Sequence, residues 1–327
     1  MRSSLVAAGL LAVFLLSMAV PVAAQKKPLV VVFAKGMLKP DNCLKWMEGN
    51  ITQVEWKVYT DTITYDEIKD AAMLILVQVD TSQKYTSDEI AAIKKWFDEG
   101  GKTLWVTGDS DYKGGDYLRI GPANDVLQAV GSVLRIDHCE ATDTQSNAGK
   151  PYRVIGIISP DPEVKFLADG VSHGVLFHGP GPVVAYVNGK WDNMVKSAPQ
   201  HVYRIAWTSD QGAIGEFVKP LPEAFDVSYR GKIVLMAAEV MPNGGIVIAS
   251  GEAPFDHYRG MWTPEYHDKP LSGPQFVTNV VLWGVGLKGT KPSYGGPSAG
   301  LSPTWIAVIV IVIILVIVAA FAATRKK

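Results

Sequence analysis

Largely apolar runs recur along the first third of the chain. They cover residues 29–34, 72–77 and 103–107, and each has the length and composition of a strand that is buried on both faces. Residues 54–59 instead alternate apolar and polar positions, which is typical of a strand at the edge of a sheet. The pattern therefore predicts a sheet of buried parallel strands with one exposed edge.

Helix signals separate these runs. Residues 41–48 predict a short helix, and Thr64 with a Glu three positions later has the spacing of a capping box. Thr86 begins a segment with a helix cap, an acidic first turn and one apolar face, and a Gly pair ends it. Residues 124–134 predict one more helix. Strands and helices in alternation predict an α/β domain with a doubly wound, flavodoxin-like and mostly parallel sheet.

After residue 140 the pattern changes to short β-like pieces between polar, Gly-rich and Pro-rich loops. We interpret residues 141–232 as a β-rich insertion, either a separate subdomain or an extension of the sheet. Residues 233–250 then predict a return to the main sheet, and residues 273–287 predict a final amphipathic helix. Residues 25–287 would thus form one α/β domain.

The two ends of the chain carry its longest apolar stretches. Residues 1–24 have the order of a secretory signal peptide: a basic residue, an apolar run and small residues before the cut. Residues 305–323 contain no charge, Gly or Pro and are long enough for a transmembrane helix. Residues 288–304 predict a linker, and residues 324–327 a basic cytoplasmic tail. We therefore expect a single-pass protein of the cell membrane with its α/β domain outside the cytoplasm.

Composition and charge exclude several function classes. The formal net charge of the 327-residue chain is −1, so no basic surface indicates nucleic acid as a partner. The sequence also lacks the Gly-rich loops that hold nucleotide phosphates, and its histidines have no recognised metal-binding spacing. We expect no nucleotide, metal or other cofactor.

Export would make two covalent modifications available. Cys43 and Cys139 are the two cysteines of the chain, and an oxidising compartment permits a disulfide between them. In a flavodoxin-like strand order, however, the first helix lies away from the strand that carries Cys139, so both alternatives stay open. Asn50 begins a sequon for glycosylation.

Polar residues follow the predicted parallel strands directly. Ligands of doubly wound sheets bind at the carboxyl ends of the strands, so these residues predict a ligand-binding crevice. Asp and Ser are also ordinary turn and cap residues, which is the competing interpretation. The predicted binding set is Lys35, Gly36, Asp80, Asp109, Ser110, Asp111 and Glu252.

The turn after the third buried run resembles a nucleophile elbow. Ser110 lies between Gly108 and Tyr112, so the final Gly of the Gly-x-Ser-x-Gly motif is replaced. A triad of Ser110, His257 and Glu252 would make the protein a serine hydrolase or amidohydrolase. This catalytic set is the alternative to a binding function.

Two stretches resemble a known family. Residues 72–111 combine a strand, a Ser-Asp-Glu helix start, Trp-Phe-x-x-Gly-Gly, a second strand and a Gly-Asp-Ser turn. Residues 244–251 read Gly-Gly-Ile-Val-Ile-Ala-Ser-Gly, and Gln275-Phe276-x-x-Asn279-x-x-x-Trp283 follows. Together they are similar to class I glutamine amidotransferase-like domains of membrane-anchored, extracytoplasmic proteins, some of which are associated with ABC-type transporters.

Catalytic members of that superfamily carry a Cys at the elbow and a His-x-Glu farther along the chain. Ser110 occupies the elbow here, and we identify no His-x-Glu in the chain. The resemblance therefore implies a non-catalytic relative that binds a ligand or a partner protein, such as a transporter or another envelope complex.

Overall fold

The computed structural model describes residues 26–37, 39, 41–78, 83–112, 119–215, 217–255 and 259–295. A sheet of nine strands runs through this part of the chain. In spatial order its strands are β2 (Glu55–Tyr59), β1 (Leu29–Lys35), β3 (Ala71–Gln78), β4 (Thr103–Thr107), β14 (Ile246–Ser250), β13 (Val234–Val240), β11 (Val202–Trp207), β7 (Arg153–Ile158) and β8 (Val175–His178).

The sheet has a parallel half and an antiparallel half. Strands β2, β1, β3, β4 and β14 pair in parallel. Each following pair, from β14 to β8, is antiparallel. The protein is therefore a mixed α/β protein, and the prediction of a flavodoxin-like, mostly parallel sheet is wrong.

The identity of the strand that pairs with β4 explains this difference. The flavodoxin-like order places the strand that carries Cys139 in the parallel sheet, but β5 (Leu134–Ile136) is short, ends before Cys139 and pairs with β9 (Val183–Val187) in a smaller sheet. Strand β14 lies beside β4 instead, and all five of its residues are buried. A buried apolar strand gains more from the central position than a three-residue strand would.

Three smaller sheets complete the β structure of the described chain. One contains β5, β9 and β10 (Lys190–Asp192), and a second pairs β6 (Ala141–Asp143) with β12 (Gly212–Ile214). The third is a hairpin of β15 (Glu265–Tyr266) and β16 (Lys269–Pro270). Within residues 141–232, β7, β8 and β11 belong to the main sheet, so the predicted β-rich insertion extends that sheet.

Helices cover the two faces of the sheet. They are α1 (Asn42–Asn50), α2 (Tyr65–Ile68), α3 (Ser87–Asp98), α4 (Gly121–Ala129), α5 (Gly273–Gly284) and a 3-10 helix at Pro162–Ala168. On one face, Trp105 and Trp283 lie in a buried cluster, and on the other Phe33 and Trp96 do. Burial of apolar area on both faces is the main stabilising contribution to such a fold.

The helix starts agree with their sequence signals. Both Thr64 and Thr86 form capping boxes with the Glu three residues later. Helix α4 ends earlier than predicted, since Gly131 adopts a φ of +76°, a conformation that stops a helix and that Gly adopts without strain.

The predicted membrane-spanning arrangement is corrected. Among the described residues, no helix is long and apolar enough to cross a membrane. The structure thus gives no support to a single-pass anchor or to the localisation built on it. Residues 1–24, 305–323 and 324–327, to which the leader, the anchor and the tail were assigned, lie outside the described residues.

Residues 288–295 were expected to begin a linker, and they pack against the domain. Lys288 forms an ion pair with Asp169 at 3.0 Å. The ammonium group of Lys291 donates to the Thr103 hydroxyl at 3.3 Å. This segment therefore lies at the sheet edge where β4 begins.

Candidate functional site

The carboxyl edge is the edge of the sheet where β1, β3, β4 and β14 end. The loops after β4 and β14 lie side by side there, because the amide of Gly108 donates to the Ser250 carbonyl at 2.8 Å. A Cβ on Gly251 would lie 1.9 Å from the carbonyl oxygen of Gly181. Strand β8 also ends at this edge, so its following loop meets the other two.

Lys35 does not join these loops. Its ammonium nitrogen lies 2.7 Å and 2.9 Å from the two carboxylate oxygens of Glu89, and both side chains are buried. Gly36, with a φ of +81°, donates its amide hydrogen to the Thr60 carbonyl. Both residues therefore have structural contacts away from the predicted crevice, and Asp80 lies outside the described residues.

The other predicted carboxylates do meet at the carboxyl edge, and each accepts hydrogen bonds from the protein. Asp109 forms an ion pair with Arg119 at 2.8 Å and accepts the amide hydrogen of Ser110. Glu252 accepts the amide hydrogens of His178 and Ala253, each at 2.7 Å. These bonds fix the loops in place.

Two fully buried aspartates hold a further segment over this edge. Asp111 accepts the amide hydrogen of Val218. Asp137 accepts the amide hydrogens of Glu223 at 2.8 Å and Ala224 at 3.1 Å. We call residues 217–225 the strap. No sequence pattern indicated the strap, since the hydrogen bonds that hold it join residues more than eighty positions apart.

Ser110 lies beneath these loops and is 2% exposed. Its hydroxyl oxygen accepts the amide hydrogen of Tyr112 at 3.4 Å. A Cβ on Gly179 would lie 3.8 Å from this oxygen and 3.4 Å from an oxygen of Glu140. Ser110 and Glu140 therefore line the same side of Gly179, while His257 lies outside the described residues.

A His-x-Glu tripeptide is present in the chain and was missed. It is His138-Cys139-Glu140, directly after β5. The spacing was available in the sequence, but its approach to Ser110 required the structure. Of this tripeptide, Glu140 lies on the same side of Gly179 as Ser110.

The two cysteines are not joined by a disulfide, and both are buried. Burial raises the pKa of the Cys139 thiol, and the carboxylates of Asp137, Asp111 and Glu140 raise it further. The thiol form is therefore favoured, and a thiol is a poor nucleophile.

The predicted glycosylation site, Asn50, is exposed at the end of α1, and its side-chain amide donates to the Trp46 carbonyl at 2.7 Å.

Four residues that sequence reasoning did not single out form a second cluster at the carboxyl edge: Tyr152, Arg153, His178 and Tyr266. The His178 ring packs edge-to-face with the Tyr152 and Tyr266 rings at centroid distances of 5.5 Å and 5.9 Å.

Within the described ranges, no group of three or more His, Cys, Asp or Glu residues could hold a metal ion.

Comparisons with known proteins found similarity to solved structures alone. No protein-family model matches the chain, and no curated protein matches it. Among solved structures, the chain is similar to one titled "mmIFT52 N-terminal domain", with a TM-score of 0.50 and 14% identity over 78% of this chain and 96% of that one. At this identity the similarity concerns the fold alone.

This neighbour corrects the expected fold relatives. The solved structure is titled as an IFT52 domain, and its title names neither a flavodoxin-like nor a glutamine amidotransferase-like fold. The resemblance to glutamine amidotransferase-like domains that was stated from the sequence stays a prediction, since no comparison tests it.

Proposed function

We propose that this protein is a partner-binding domain whose carboxyl edge contacts another protein. The observation that carries the proposal is a group of exposed apolar side chains on and beside the strap. Tyr112 is 43% exposed, Val218 43% and Leu221 56%. We call these three residues the strap patch. Exposed aromatic and aliphatic groups on a rigid support are typical of protein interfaces.

The support beneath the patch favours binding over catalysis. Asp111 directly precedes Tyr112 and binds the amide of Val218, so the two exposed side chains are held together. The carboxylates of Asp109 and Glu252 likewise bind the protein's own groups. Carboxylates committed in this way order a surface, and they contribute little to proton transfer.

A captured partner and one surface substitution test this proposal. Full-length protein carrying an affinity tag would be crosslinked in its native cells, and each recovered protein would be identified and then purified for a direct binding measurement. Leu221→Glu adds a charge to the strap patch and should weaken that binding at least tenfold, since removal of a buried apolar anchor costs about 2 kcal/mol or more.

Leu287→Glu is the matched control. Leu287 is 50% exposed and follows α5, whose last residue bonds to Thr103 at the opposite edge of the sheet. The control should bind the purified partner as the wild type does. Equal loss in both variants, or full binding by Leu221→Glu, would overturn the proposal. The identity of the partner also tests the finer proposal that it belongs to an ABC-type transporter or another large complex.

A serine hydrolase or amidohydrolase is the second candidate. The convergence of Ser110 and Glu140 beside Gly179 favours it. Hydrolysis of p-nitrophenyl acetate by the full-length protein would be compared with that of Ser110→Ala. Loss of a clear activity in the variant would support the enzyme, and equal rates in both proteins would exclude Ser110 as its nucleophile.

A further inference from the structure

Arg153 has an unusual setting at the carboxyl edge. It begins β7 and lies opposite His178, the last residue of β8. Its guanidinium carbon lies 5.4 Å from the centroid of the Tyr152 ring and 5.9 Å from that of the Tyr266 ring. Both distances allow cation–π attraction. Two rings therefore orient the guanidinium without using its N–H donors.

Those donors bond to no other residue of the described chain. The Nε atom of Arg153 is buried without a hydrogen-bond partner there. The Nε atom of Arg119 is also buried without a partner, but each of the other half-buried arginines of that part of the chain has an acceptor for its remaining donors. Arg204 forms an ion pair with Asp161, Arg119 pairs with Asp109, and Arg135 donates to backbone carbonyls. An arginine that is desolvated by rings and lacks an acceptor leaves strong donors unused.

The surroundings of Arg153 resemble the centre of a binding interface. Tyr152 is 36% exposed, while Arg153, His178 and Tyr266 are half-buried. The cluster adjoins the loops of the carboxyl edge, because the amide of His178 donates to Glu252 and that of Gly179 donates to the Tyr152 carbonyl. Tyrosine and arginine are among the side chains that are enriched at binding hot spots.

We propose that Arg153, oriented by Tyr152 and Tyr266, receives a carboxylate of the partner protein. This inference rests on the proposed partner-binding function and names the chemistry that the partner presents. A carboxylate accepts two parallel hydrogen bonds from a guanidinium fork, and partly desolvated donors strengthen such bonds. The neighbouring rings then cover the aliphatic part of an acidic side chain.

Side-chain NMR of the full-length protein tests the proposal directly. The protein would be labelled with ¹⁵N-arginine, and the Nε–Hε signal of Arg153 would be assigned from its loss in Arg153→Lys. The probes are acetyl-Glu-Tyr-amide and its neutral match acetyl-Gln-Tyr-amide. The Glu probe should shift the Arg153 signal in a saturable manner. The Gln probe should bind about tenfold more weakly, since it lacks the charge-assisted pair.

Two controls make the result specific. Arg230→Gln removes an exposed arginine whose guanidinium donates to the Tyr229 carbonyl, and it should leave the titration unchanged. Inorganic phosphate, compared with acetate, distinguishes a phosphate site. Equal shifts from both peptide probes, no shift from either, or a response to phosphate alone would each overturn the carboxylate assignment.

The two proposals fail in different ways. If Leu221→Glu releases the partner while the Arg153 signal ignores the Glu probe, the partner-binding function stands and the carboxylate site is wrong. If Arg153 binds the Glu probe and no purified partner binds the protein, the site stands as a carboxylate site and the partner-binding function is wrong.

Discussion

The ammonium nitrogen of Lys35 lies 2.7 Å from a carboxylate oxygen of Glu89, and the two side chains are only 6% and 1% exposed. The same carboxylate accepts the amide hydrogen of Thr86 and so completes the capping box of α3. Lys35 therefore ties the end of β1 to the start of a helix. Its charge is committed to the fold and does not face a ligand.

Glu89→Gln should destabilise the protein strongly. The substitution leaves the Lys35 charge buried beside a neutral amide, and breaking a buried pair in this way costs about 3–5 kcal/mol. Asp98→Asn breaks the Lys94–Asp98 pair, which is half exposed, and should cost about 1 kcal/mol or less. Urea unfolding of both variants measures the two decreases in the free energy of unfolding. Equal decreases would contradict a structural role for the buried pair.

Gly251→Ala should destabilise the loops of the carboxyl edge. A Cβ there would meet the Gly181 carbonyl at 1.9 Å, so one of two packed backbones must move, at a cost of about 1–3 kcal/mol. Gly49→Ala is the matched change, because a Cβ there would meet no atom of the described chain within 4 Å beyond its neighbours and its own helix backbone. Alanine in helix α1 should then stabilise by about 0.5–1 kcal/mol. Thermal melts should therefore shift in opposite directions.

Asp137→Ala should loosen the strap. Asp137 accepts the amide hydrogens of Glu223, Ala224 and His138, and each buried donor left unsatisfied costs about 1–3 kcal/mol. Amide hydrogen exchange in residues 217–225 should accelerate markedly. Asp226→Ala removes a carboxylate that bonds to the exposed Ser228, and exchange of Glu223 and Ala224 should remain slow in it. Unchanged exchange in Asp137→Ala would show that other contacts hold the strap.

Glu239 should make stability depend on pH. Burial raises the pKa of its carboxyl, although hydrogen bonds from Ser132 and Val133 oppose the shift. The folded state therefore holds the proton more tightly than the unfolded chain, whose glutamate pKa is about 4.3. Stability from this group is complete below that value and falls as pH rises through the folded pKa.

Glu239→Gln should abolish this loss, because the amide oxygen accepts the same bonds without a charge. Urea unfolding between about pH 4 and 7 should show wild-type stability falling relative to the variant as pH rises. Glu99→Gln is a control of opposite sign, since the hydrogen bond from Tyr65 lowers the pKa of Glu99. A difference between wild type and Glu239→Gln that does not vary with pH would contradict the raised pKa.

Local signals of the chain were reliable where neighbours in sequence supply the forces. The caps at Thr64 and Thr86 were predicted because their bonds close within three residues. The edge position of β2 was predicted from its alternation, and the strand has one partner, β1, in the sheet. The strand order was not predictable in this way. Strands β5 and β14 both carry buried apolar residues, and competition for the position beside β4 is decided by burial across the whole sheet.

The candidate site, likewise, was predicted only in part. Sequence alone placed Asp109, Ser110, Asp111 and Glu252 at the ends of strands, and the parallel pairing of β4 with β14 brings them together. It could not assign Lys35 to Glu89, since that bond spans 54 positions. It also gave no sign of Arg153, whose setting depends on the ring of its neighbour Tyr152 together with the ring of Tyr266 in a distant hairpin.

Taken by itself, the sequence determined the buried strands β1, β3, β4 and β14, the helix starts and the polar residues that follow those strands, because these depend on short-range periodicity and capping. Only the tertiary structure decided the mixed topology, the strap and the unpaired donors of Arg153. Each of those features depends on burial and on hydrogen-bond pairing between residues that are far apart in the sequence.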